Sequence, residues 1–202
     1  MTQQQFQTCI DKCRYEIDEI KDHAHMLHDS VNQRYDMNHP YSYHLDMVAD
    51  SVFKYGHLVC QQEADVLPLL FGAFYHDSIE DARMTYNDVK KGASLFMNDE
   101  QAYQAAEMVY ALTNEKGRTR AERSNDRYYA GIRETPYAPF LKLADRLANI
   151  TYSCSMSNRI NNHMKEVYKN ELPHFLESIN PHSDDPRKIL PQVMIDEIFK
   201  QL

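Results

Sequence analysis

The chain has 202 residues, with 22 Lys and Arg against 30 Asp and Glu, for a formal net charge of −8. That length supports one sizeable hydrophobic core and predicts a single domain over 1–202. The acidic balance argues against a nucleic-acid partner and an anionic membrane surface, but allows a local basic pocket for a small phosphorylated molecule.

Only 5 Gly and 8 Pro occur, about half of average usage, which disfavours many-stranded β architectures. Neither a G-x-G-x-x-G nor a P-loop motif is present, so Rossmann and P-loop readings fail. No apolar stretch is long enough to span a bilayer, and the opening MTQQQFQ does not read as a signal peptide. A cytoplasmic protein is expected. Cys9, Cys13, Cys60 and Cys154 form no C-x-x-C pair, so free thiols are expected.

In chain order, Phe6, Ile10, Cys13, Ile17, Ile20, Ala24 and Leu27 are spaced 4-3-4-3-4-3, predicting one long amphipathic helix. Tyr41, Leu45, Val48, Val52 and Tyr55 predict a second helix after Pro40, with Gly56 at the C-cap position. The apolar run from Val66 to Tyr75 predicts a buried helix, since no second strand candidate exists to pair with it. Thr85-x-x-Asp88 and Asn98-x-x-Gln101 are helix-start boxes. Residues 113–133 read as a basic loop and a solvent-rich helix. Phe140, Leu143, Leu147 and Ile150 share one helix, and Ile160, Met164, Val167 and Leu172 another. Residues 180–188 form a linker, and a short helix over 189–202 closes the chain. The sum is an all-α bundle of roughly eight or nine helices.

The chemistry concentrates in His76-Asp-Ser-Ile-Glu-Asp81, directly after the apolar run. On a helix His76 and Glu80, and Asp77 and Asp81, are i, i+4 pairs. Three carboxylates this close need a positive partner, and imidazole with carboxylate suits Mn²⁺, Fe²⁺ or Zn²⁺. His39-Pro40 precedes a helix. Lys142, Asp145, Asn149 and Tyr152 form a 3-4-3 polar stripe opposite the apolar side of their helix. His44, like His23, His25, His28, His57, His163, His174 and His182, reads as a surface or satisfied core residue.

His39, then His76-Asp77, then Asp145, in that order on an all-α chain, resembles the HD superfamily of metal-dependent phosphohydrolases. Within it, residues 73–81, Leu143-Ala-Asp-Arg-Leu-Ala-Asn149 and Asn38-His-Pro40 resemble segments of RelA/SpoT-type hydrolases of the alarmone (p)ppGpp. The resemblance covers about residues 25–155 and leaves 156–202 as a C-terminal helical extension. It implies an HD helical bundle in which His39, His76, Asp77 and Asp145 hold one divalent metal, Mn²⁺, that activates water. Glu80 and Asp81 would orient that water and move its proton. The implied reaction removes the 3′-pyrophosphate of a guanosine polyphosphate, with other nucleotides (monophosphates, dNTPs, ppApp, NADPH) or a non-catalytic sensor as alternatives. Lys116, Arg118, Arg120, Arg123 and Lys142 are candidate phosphate contacts, and Asn149 a ribose contact. Arg34-Tyr35 stands where the family carries an Arg-Lys base-reading pair, which predicts weak guanine selectivity. Tyr152 is a further candidate base contact.

Overall fold

The computed structural model describes residues 1–155 and 159–202, and the regular elements among them are all helical. Eleven α-helices stand among these residues, more than the eight or nine expected, and the surplus has local causes. The long first helix divides at Cys13 into α1 (Gln3–Lys12) and α2 (Arg14–Ser30). The buried stripe runs on across the break, from Phe6 and Ile10 to Ile17, Ile20 and Ala24.

The second predicted helix is α3 (Ser42–Tyr55). Gly56 follows it, but at φ −58° it is not a left-handed cap. A Cβ at Gly56 would lie 2.5 Å from Phe6 Cζ, so the glycine is there to let α1 close on the end of α3. The apolar run forms α4 (Val66–Tyr75), in which every residue is buried. Pro68 is tolerated because it sits in the first turn, where its missing N–H has no intrahelical partner. α4 packs against α1, α2 and α3.

α4 ends at Tyr75, and 76–82 continue as turns instead of the expected helix. Some i+4 bonding persists: Asp81 N–H donates to Asp77 O at 2.8 Å and Ala82 N–H to Ser78 O at 3.1 Å. Both start boxes form reciprocal caps, on α5 (Tyr86–Ala93) and α6 (Asp99–Leu112). The basic stretch holds two short helices, α7 (Arg120–Arg123) and α8 (Asp126–Glu134).

α9 (Ala138–Ser155) follows Tyr137, a buried residue at φ 67°. Tyr137 is held in that left-handed conformation by its N–H on Arg187 O, 2.7 Å, and its hydroxyl on Asp65 Oδ2, 2.6 Å. α9 is the scaffold of the second half, touching α3, α6, α8, α10 (Arg159–Ile179) and α11 (Gln192–Gln201). The start of the C-terminal extension lies at 156–158, outside the described residues. From 159 on, its Leu172, Phe175, Ile179, Met194 and Ile198 join the same core cluster as α4. The expected stripe there starts too early: Ile160 is 74% exposed, and the apolar residues of α10 that are deeply buried begin at Leu172. No helix among the described residues is long and apolar enough to cross a membrane.

Candidate metal centre

Three elements converge at one end of α4. The first turn of α3 supplies His44, the residues just past α4 supply His76 and Asp77, and the middle of α9 supplies Asp145. His44 lies three residues after Tyr41 and four before Val48, in phase with the buried face of α3. One ligand atom each from His44, His76 and Asp145 lies within 4.8 Å of the other two. His44 Nε2 is 3.2 Å from His76 Nε2, 3.3 Å from Asp145 Oδ1 and 3.6 Å from Asp77 Oδ2. Asp77 Oδ2 is 2.8 Å from His76 Nε2 and accepts the Tyr41 hydroxyl at 2.5 Å.

The surrounding shell fixes these groups. His76 Nδ1 sits 2.8 Å from Ala73 O, so in the neutral ring Nδ1–H donates there and Nε2 presents its lone pair to the cluster. Tyr35 stacks on the His44 ring with centroids 5.0 Å apart. Asp145 takes Lys142 Nζ at 2.9 Å and Asn149 Nδ2 at 2.6 Å, and Asn149 Oδ1 accepts the Tyr35 hydroxyl at 3.0 Å. Burial opposes the charge on Asp145, but Lys142 and then His44 more than offset it, holding the carboxyl well below the ordinary range. Burial likewise opposes charge on His76, yet Asp77 raises that ring to about 9. A divalent cation held there would take the place of that proton, as at metal sites generally. Two imidazole nitrogens and adjacent carboxylates on a buried floor are a donor set that fits Mn²⁺, Fe²⁺ or Zn²⁺.

His39 stands outside this group, and His44 occupies the place expected of it. Asp36 is the reason. Its carboxylate accepts the backbone N–H groups of Asn38 and His39 at 2.7 and 2.6 Å, and holds His39 Nδ1 at 3.0 Å. The Tyr152 hydroxyl also donates to Asp36. His39 and Tyr152 are both engaged by this one carboxylate, and neither is among the three grouped ligand residues or the residues lining the cleft below. The phase of His44 within its apolar stripe was the available signal.

The cluster floors a cleft of about 800 Å³. Glu80 and Asp81 line it, as do Arg120, Arg123 and Lys142. Asn114 donates to Glu80 through its backbone N–H, 3.2 Å, and its side-chain amide, 2.9 Å. Burial, then the neighbouring Asp77, raises the Asp81 carboxyl. Tyr35 and Asn149 border the cleft, but both are engaged around His44 and Asp145 and so position those residues. Arg34, Lys116 and Arg118 are not among the lining residues. Arg34 instead donates to the carbonyls of Asp36 and Met37 at 3.3 Å. Arg146, Tyr41 and Tyr168 line the cleft without having been singled out in the sequence. Compared with protein-family profiles, curated proteins and solved structures, the chain matches none.

Proposed function

We propose that the chain is a divalent-metal-dependent phosphohydrolase whose substrate is a 3′-pyrophosphorylated guanosine nucleotide of the (p)ppGpp kind. The observation that carries this reading is the convergence of one ligand atom each from His44, His76 and Asp145 within 4.8 Å, with His44 and Asp145 lining a cleft that also contains Glu80 and Asp81. His44, His76 and Asp145 would hold the metal, with the Asp77 carboxylate beside them. Bound there, Mn²⁺ or a similar ion supplies the Lewis acidity that makes water nucleophilic near neutral pH.

The chain's own groups do the rest. Glu80, tied to Asn114, and Asp81 orient the attacking water and take its proton. The water oxygen adds to the phosphorus attached to the ribose O3′, the P–O3′ bond breaks, and O3′ takes up the proton that the carboxylate removed from water, leaving as the free hydroxyl. The products are pyrophosphate and GDP or GTP. Lys142 and Arg123 counter the negative charge of the phosphates.

The test is product analysis with Mn²⁺ and a panel of ppGpp, pppGpp, ppApp, GMP, dNTPs and NADPH. Pyrophosphate with GDP from ppGpp is the expected result. Orthophosphate from monophosphates would assign the same centre to another substrate class, and no turnover of any of them would overturn the reading.

A further inference from the structure

At the α10 side of the cleft, two guanidinium groups close on one carboxylate. Arg120 Nη2 is 3.0 Å and Arg146 Nη1 3.2 Å from the same oxygen, Glu171 Oε2. Arg146 is held rigidly: it is 8% exposed, and its guanidinium carbon stands 4.2 Å from the Phe175 ring centre and 4.8 Å from that of Tyr168. Arg120 also reaches the Tyr168 ring, at 6.0 Å. Arg123 lines the same wall and makes no ion pair among the described residues.

This geometry holds a two-pronged cationic fork around a single anionic oxygen. A guanidinium pair matches a phosphate better than one carboxylate oxygen, because several phosphate oxygens can each take a parallel N–H pair. Glu171 is held from one exposed and one buried side: the side chains of Arg120 and Arg146 are 51% and 10% exposed, so the Arg120 contact contributes little, while the carboxylate itself, 33% exposed, stays within reach of a competing anion. Arg120, Arg146 and Glu171 line the same cleft as His44 and Asp145, so the fork shares a pocket with the proposed metal centre. The cleft thus has an acidic, metal-binding floor and a cationic wall with aromatic backing.

We infer that Arg120 and Arg146 form an anion seat, that the Glu171 carboxylate fills it in the unliganded chain, and that a phosphate group displaces Glu171. The ligand class is a phosphate or diphosphate group. Its assignment to the substrate, as a phosphate other than the one being cleaved, rests on the phosphohydrolase reading. A substrate of this kind carries two polyphosphate groups on one nucleoside, at O3′ and O5′, so that one meets the metal centre while the other meets the seat.

Titration calorimetry of the full chain with inorganic pyrophosphate, in EDTA, tests the seat without catalysis. Glu171→Gln removes the competing charge and should bind pyrophosphate about threefold to tenfold tighter than the wild type. Adding Arg120→Ala to Glu171→Gln should abolish that gain. Arg120 is the better probe because it is exposed, whereas truncating buried Arg146 endangers the fold. No gain in Glu171→Gln, or a gain that survives Arg120→Ala, overturns the seat. With Mn²⁺ and ppGpp, KM should fall in Glu171→Gln and rise in Arg120→Ala. Turnover with KM unmoved in both variants would refute the seat's role in substrate binding and leave the phosphohydrolase reading intact. A pyrophosphate gain without turnover of any nucleotide would support the seat and refute the phosphohydrolase reading.

Discussion

His44 and His76 are separated by 32 positions in the chain, yet their Nε2 atoms face one another at 3.2 Å. Nδ1 of His76 is committed to Ala73 O, so its Nε2 points inward with either a lone pair or a proton. Two imidazoles so arranged need a shared proton or a cation between them, and the Asp77 and Asp145 carboxylates on the same floor favour positive charge there.

That relationship separates two histidines five positions apart. His44→Ala should lower Mn²⁺ affinity by at least about 100-fold, since losing even an outer partner of a metal ligand costs about 10- to 100-fold. His39→Ala should leave affinity within about threefold, because its ring serves the Asp36 turn. Electron paramagnetic resonance of free Mn²⁺ reads both. Loss of binding in His39→Ala with none in His44→Ala would reverse the assignment.

Glu80 lies beside the cluster without belonging to it. Glu80→Gln should keep the metal and lose about 10²- to 10⁴-fold in kcat. Asn114→Ala frees the same carboxylate from its side-chain amide partner and should reduce kcat by less. Steady-state kinetics with parallel metal analysis checks both. Metal loss in Glu80→Gln would make Glu80 a ligand.

His28 is fully buried, its ring nitrogens lack hydrogen-bond partners among the described residues, and it stacks on Tyr41 with centroids 4.6 Å apart. Burial lowers its pKa from 6.5 to about 4, against a smaller upward pull from Asp77. A depressed histidine pKa means that the unfolded chain takes up the proton first. Its contribution to stability is therefore complete above about pH 6.5, declines as pH falls, and is gone below about pH 4. Over that window the wild type should lose roughly 3 kcal/mol more than His28→Phe. Urea unfolding at pH 7.5 and pH 4.5 measures the difference, and equal losses in the two proteins would rule it out.

Gly56→Ala places a methyl group 2.5 Å from Phe6 Cζ. Phe6 is 1% exposed and has little room to move, so the variant should lose about 1–3 kcal/mol. A backbone-propensity effect alone would stabilise the chain, because Gly56 has helical dihedrals. The sign of the change in Tm therefore decides between the two.

Much of the fold was legible because its signals are local. Ten consecutive apolar residues made α4, and the Thr85 and Asn98 boxes started α5 and α6 where the side chains can reach back to the backbone. The polar stripe of α9 was legible as a stripe, and its Asp145 lies in the cluster. What the stripe faces was a tertiary matter: it meets His44 and His76 because α9 and α4 both pack on α3. Which histidine joins the cluster was also decided in three dimensions. His39 and His44 flank the same helix start, and the choice turns on Asp36 closing its loop on one ring while the phase of α3 buries the other. Likewise, no pattern in the chain pairs Arg120 and Arg146 with Glu171. Sequence periodicity records which side of a helix is apolar, whereas the partner across a cleft depends on how distant helices cross.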